Sequence, residues 1–145
     1  MNTEKPVEIE VRALQSKDGV EIDNIVGNYQ GKYIEKANAK FLLYDEYYEG
    51  SNEPVKTMVK IGCNELTIIK KGVISTKMLL KVGEEKGAEY ETPYGGMRLE
   101  TKASNMTFTQ NEDSMDIDVD YILKINGEHM ADCMIGIRVR DKIKS

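Results

Sequence analysis

The stretch MDIDVDYILKI, residues 115–125, decides the fold, because every second position carries an apolar or aromatic side chain from its first residue to its last. Met115, Ile117, Val119, Tyr121, Leu123 and Ile125 share one parity, while Asp116, Asp118, Asp120 and Lys124 share the other. A β-strand sends successive side chains to opposite faces, so this rhythm predicts a strand with one dry face and one wet face.

The same alternation recurs along the chain. Val7, Ile9 and Val11 alternate with Glu8, Glu10 and Arg12; Val55, Thr57, Val59 and Ile61 with Lys56 and Lys60; Met97, Leu99 and Thr101 with Arg98, Glu100 and Lys102. Further strands are predicted in KYIEK (32–36), AKFLLYDEYY (39–48), ELTIIKK (65–71), VISTKMLLKV (73–82), AEYET (88–92), NMTFTQ (105–110) and HMADCMIGIRVR (129–140). No window of eleven or more residues carries a helical apolar stripe.

Turn residues fall between these runs: Gly19, the stretch 49–54, Gly62, Gly72, the stretch 83–87, and NEDS at 111–114. Asn126-Gly127 is the strongest hairpin signal, since both central positions of a type I′ turn need positive φ. The pattern predicts an all-β chain, a single antiparallel meander barrel of about eight to ten strands spanning residues 1–145. Many twisted strands with one apolar face tend to close on themselves, because closure removes exposed edges.

Composition narrows the function. The 145 residues are 40% hydrophobic and 31% charged, with a net charge of −5. That acidity opposes nucleic-acid binding and attachment to an anionic membrane, both of which draw on Lys and Arg. The stretch MNTEKPVEIEVRALQ has no apolar core behind a basic start, and no apolar run approaches the ~18 residues of a spanning helix, so a cytoplasmic protein is expected. Cys63 and Cys133 each lie in a strand-like segment and are expected as buried structural thiols.

AEYETPYGGMRLETKA, residues 88–103, reads as a corner in the sheet. In Thr92-Pro93-Tyr94-Gly95 the proline suits the second position of a type I turn, glycine suits a left-handed bulge, and the strand is expected to resume at Met97. Tyr94 either folds over the barrel end or touches a ligand at the rim. The element YETPYG, followed by MRLETKA and preceded by KGVISTKMLLKVGEEKGAEY and FLLYDEYY, resembles the YwiB-like family of small bacterial proteins, and the late MDIDVDYIL fits its ending. The resemblance implies a calycin-like barrel of the lipocalin or fatty-acid-binding type, and implies no reaction, since none is assigned to that family.

The recognised catalytic and cofactor patterns are missing. There is no glycine-rich phosphate loop with a lysine, no Gly-x-Ser-x-Gly, no His-Glu-x-x-His and no Cys-x-x-Cys. His129, the single histidine, is too far along a strand from Cys133 to form a catalytic pair. Asp116, Asp118 and Asp120 stand in a row on a strand, where a calcium cage needs a curled loop; a solvated face with cross-strand lysines is expected. No catalytic residue, metal site or cofactor is therefore assigned.

The richest segment is FLLYDEYYEG, where Tyr44, Glu46 and Tyr48 share one face. With Leu42, Tyr44 and Glu46 turned inward, Glu46 becomes a partly buried carboxylate whose partner is Arg98 or a tyrosine hydroxyl. Two functions remain open. One is a non-enzymatic barrel that binds a small apolar or amphiphilic ligand at the end formed by Tyr44, Glu46, Tyr90, Tyr94 and Arg98. The other is a structural module whose own side chains fill the lumen, acting through a homodimer or a docked partner.

Overall fold

The computed structural model describes residues 3–48, 50, 52–93 and 95–142, with the side chains of residues 89–92, 96 and 97 outside that description. Ten strands follow one another in chain order: β1 (Thr3–Lys17), β2 (Val20–Lys36), β3 (Ala39–Glu46), β4 (Val55–Gly62), β5 (Glu65–Lys71), β6 (Ser75–Lys81), β7 (Glu85–Thr92), β8 (Gly95–Gln110), β9 (Ser114–Ile125) and β10 (Glu128–Asp141). Each pairs antiparallel with the next, and β10 returns to β1 to close an up-and-down barrel. The closing ladder runs from Val7 opposite Asp141 to Ser16 opposite Asp132.

The antiparallel order gives the barrel two distinct ends. The turns after β2, β4, β6 and β8 gather at the base with the outer ends of β1 and β10; the turns after β1, β3, β5, β7 and β9 surround the mouth. The Asn126-Gly127 turn joins β9 to β10 with φ of 52° and 81°, the sign a type I′ hairpin requires. Gly95, at the β7–β8 corner, carries φ of 126°. Tyr94 lies outside the described residues.

Alternation sorts the side chains as the sequence predicts. On β9, Met115, Ile117 and Val119 are buried, and on β10 Ile135, Ile137 and Val139 join them. Ile9, Leu42, Leu66, Leu80, Ile117 and Ile137 are almost wholly removed from water. At the base, Tyr33 caps this core: its hydroxyl donates to Glu35 Oε2 at 2.9 Å and accepts from Gln110 Nε2 at 3.3 Å. Hydrogen bonding to Tyr33 and then to Lys40 holds the Glu35 carboxyl below its ordinary range.

Several boundaries differ from the sequence reading. β2 begins at Val20, well before the KYIEK segment at 32–36, because β1 supplies it with a ladder from Lys17 opposite Val20 onward. The segments at 97–102 and 105–110 form one strand, β8, continuous through a register shift between Ala103 and Asn105 that keeps Thr101, Ala103 and Met106 facing the core. That strand resumes at Gly95, two residues before the expected Met97. Cys63 is exposed in the β4–β5 turn, so only Cys133 is a buried thiol.

Two seams in the barrel wall are incomplete. β6 and β7 pair only from Ser75 opposite Glu91 to Lys77 opposite Glu89; nearer the base, Thr101 Oγ1 donates to the Leu79 carbonyl at 3.1 Å and bridges the gap from β8. β2 and β3 pair only from Gly31 opposite Tyr44 to Lys36 opposite Ala39, so residues 20–30 have β1 alone as a ladder partner among the described residues.

Candidate functional site

The mouth half of the lumen is hollow. A cavity of about 390 Å³ lies above the packed base, walled by Val59, Ile68, Met78, Ile135 and Ile137. Its polar lining comes from Gln15, Tyr29, Tyr44, Glu46, Tyr48, Lys70, Thr76 and Tyr121. Among the described residues, side chains fill the lumen only in its lower part.

β2 explains where the space comes from. Its inward positions alternate Gly27, Tyr29, Gly31 and Tyr33, opposite Val11, Ile9, Val7 and Lys5 of β1. A Cβ at Gly31 would overlap the Leu43 carbonyl oxygen and press on Tyr44 Cβ at 3.0 Å, so β3 can approach β2 there only because glycine has no side chain. Gly27 leaves room for the Tyr29 ring, whose Cε2 would stand 2.7 Å from an added Cβ. Tyr29 leans onto Tyr44 instead, with ring centroids 4.7 Å apart and planes inclined by 29°.

Glu46 is the charged centre of this lining. β3 turns Leu42, Tyr44 and Glu46 inward, leaving Glu46 only 8% exposed. Lys70 Nζ of β5 lies 2.8 Å from Glu46 Oε1, and the Tyr48 hydroxyl donates to the same oxygen at 3.0 Å. A buried carboxylate needs this much pairing, because desolvation otherwise disfavours its charge.

The tyrosines carry the electrostatic consequence. Burial, followed by the Glu46 charge, pushes the Tyr29 and Tyr44 hydroxyls above the ordinary tyrosine range. Burial does the same to Tyr121, with the adjacent Cys133 adding to the shift. Burial raises the Cys133 thiol in turn, partly offset by hydrogen bonding from Tyr121. All of these groups are therefore neutral at pH 7, and the three tyrosines line the cavity as dipoles.

The structure brings together part of the site expected from sequence. Tyr44 and Glu46 both line the cavity. Arg98 stands exposed on β8, on the parity opposite Leu99 and the buried Thr101, and so on the outer wall. Lys70 therefore takes the role considered for Arg98, alongside the hydroxyl of Tyr48. The backbone of Tyr90 lies opposite Thr76, a cavity residue; its side chain and the whole of Tyr94 lie outside the described residues.

Lys70 and Tyr29 were not among the expected site residues. For Lys70 a signal existed: Leu66, Ile68 and Lys70 share the inward parity of β5, so a lysine continues an apolar face. Tyr29 had none, since residues 20–31 do not alternate.

Outside the lumen, a second and more open groove of about 530 Å³ runs over the outer wall between Glu8, Glu10, Asn28, Gln30, Arg138 and Arg140. Its arginines are already engaged. Arg138 Nη2 contacts Asp118 Oδ1 at 2.9 Å, and Arg140 Nη1 contacts Asp116 Oδ1 at 2.9 Å. The cross-strand partners of the aspartate row are thus arginines, where lysines were expected. Among the described residues no group of three or more His, Cys, Asp and Glu side chains is placed to hold a metal ion. His129 Nε2 sits 2.9 Å from Asp132 Oδ1 at the surface. No helix of the described residues is long and apolar enough to cross a membrane.

Comparison with known proteins fits this architecture. The family described as Domain of unknown function (DUF1934) matches residues 9–137. The "Uncharacterized beta-barrel protein YwiB" of Bacillus subtilis (strain 168) is 25% identical over 128 residues, 88% of each chain. The crystal structure of the ywiB protein from Bacillus subtilis superposes with a TM-score of 0.84 at 21% identity, covering 97% of this chain and 94% of that one. That likeness establishes a shared barrel fold.

Proposed function

The chain belongs to the family described as Domain of unknown function (DUF1934), and from that premise we propose that it is a non-enzymatic carrier or sensor holding one small amphiphile in the mouth half of its barrel. The cavity carries this reading: about 390 Å³ falls in the range of roughly 300–1,000 Å³ usual for ligand pockets, with mostly apolar walls and a few convergent polar groups. The apolar tail would lie against Val59, Ile68, Ile135 and Ile137, with the polar end toward Glu46, Lys70 and Tyr48. Native mass spectrometry of freshly purified protein, paired with a thermal-shift screen of amphiphiles, tests the reading. We expect a retained small molecule or a stabilising hit; an empty protein that no amphiphile stabilises sinks it.

A second reading, self-association, is favoured by one observation. Among the described residues, 20–30 have a ladder partner on one side only, and Val20, Ile22, Ile25 and Val26 are exposed along this β2 edge. An antiparallel pairing of two copies centred on Ile25 would set Asp23 opposite Gly27 and Glu21 opposite Tyr29, with no like charges facing each other. Light scattering across a concentration series distinguishes the readings: a mass that stays monomeric throughout rules out the dimer.

A further inference from the structure

Among the described residues, Glu46 and Lys70 are the only charged side chains in the lining of the lumen cavity, and they are paired to each other at 2.8 Å. The described lining therefore carries two charges that cancel. Glu46 Oε1 accepts from both Lys70 and Tyr48, so the carboxylate is already held by the ion pair. Lys70 carries three N–H donors, of which Glu46 engages one, and the neutral hydroxyls of Tyr29 and Tyr44 in the same lining can both donate and accept. What the described lining offers is a mixture of donors and acceptors with no uncompensated charge.

Resting on the lumen-binding reading above, we propose that the ligand's head group is uncharged: an alcohol, an amide or an ester of a polyol. A carboxylate head would need the Lys70 ammonium, and taking it would set a second anion beside Glu46, where like charges in a desolvated site oppose each other. An ammonium head would turn to Glu46 and there meet the like charge of the Lys70 ammonium already paired with it. A hydroxyl or amide both donates and accepts, so it joins the network without dissolving the ion pair. The net charge of −5 further disfavours anions approaching the mouth.

The test is a panel of four amphiphiles sharing one unbranched alkyl chain and differing only in head group: alcohol, primary amide, carboxylate and amine. Binding is measured by titration calorimetry at neutral pH. We expect the alcohol and amide to bind at least about tenfold more tightly than the carboxylate and amine. Glu46→Gln leaves Lys70 without its counter-ion, and the carboxylate should then gain on the alcohol by about tenfold or more. Lys70→Met leaves Glu46 unpaired by charge and should move preference toward the amine.

A wild-type preference for the carboxylate or the amine overturns the inference while leaving the lumen-binding reading intact. So does an unchanged order of affinities in both variants, once near-ultraviolet circular dichroism shows them folded. If either variant fails to fold, the wild-type ranking alone decides. Failure of all four heads to bind the wild-type protein overturns the lumen-binding reading itself, and this inference with it.

Discussion

Tyr29 of β2 stacks on Tyr44 of β3, with centroids 4.7 Å apart, just beyond Gly31, the last β2 residue in the ladder with β3. Above that level a side-chain contact holds two strands that backbone hydrogen bonds no longer join. Tyr29→Ala should therefore lose about 0.5–1.5 kcal/mol beyond its area term, measured by urea denaturation. Hydrogen exchange in residues 20–30 should accelerate, since β1 alone would then restrain them. Unchanged exchange there would show that the stack does not hold the seam.

Gly31 makes a sharper demand on sequence. An added methyl group would overlap the Leu43 carbonyl oxygen, which is fixed in the sheet, so Gly31→Ala should cost about 1–3 kcal/mol as overpacking. Gly87 on β7 is the control: nothing lies within 4 Å of a Cβ built there, and its alanine variant should stay within about 0.5 kcal/mol of wild type. Equal losses in the two variants would refute the close-approach argument.

Neighbours on β9 should differ because they face opposite ways. Ile117 is 0% exposed in the core, and Ile117→Ala should cost about 2–5 kcal/mol. Asp118 pairs with Arg138 on the outer wall at 2.9 Å, partly open to solvent, and Asp118→Ala should cost at most about 1 kcal/mol. Chemical denaturation of both variants checks the ratio, and a larger loss at Asp118 would mean that the charge ladder rather than the core supports the strand.

Alkaline pH should unfold the protein through its lumen tyrosines. The folded-state pKa values of Tyr29, Tyr44 and Tyr121 are raised above the ordinary value of 10.0, chiefly by burial. Their contribution is fully present below that value, where both states are protonated. Above it the unfolded chain loses protons that the folded chain keeps, so stability falls with rising pH by about 1.4 kcal/mol per pH unit for each such group. Tyr44→Phe removes one ionisation and should flatten the slope of stability against pH above 10.0. An unaltered slope would count against the buried hydroxyl as its source.

The strands that were legible in sequence are those with one face on the core and one in water. β9 reads directly, because Asp116, Asp118 and Asp120 punctuate the apolar parity. β2 does not: residues 20–26 are exposed on both faces, Ile25 and Val26 stand side by side, and two glycines occupy inward positions, so nothing alternates. Its pairing with β1 rather than its own pattern makes it a strand. The turn at Ala37 and Asn38 was equally silent, since it reaches φ of 50° and 68° without a glycine.

The same logic governs the site. Tyr44 and Glu46 could be placed from one segment, because alternation within β3 fixes their direction. Lys70 approaches from β5, two strands away round the wall, and which strand faces another across the lumen depends on closure and tilt, which no local pattern carries.

The early end of the β2–β3 ladder gives the cylinder a lateral slit. Tyr29 borders both the inner cavity and the groove outside, and parting the wall there displaces an aromatic ring without breaking an interstrand hydrogen bond. Local opening of the wall at Tyr29 is thereby uncoupled from the global stability of the sheet.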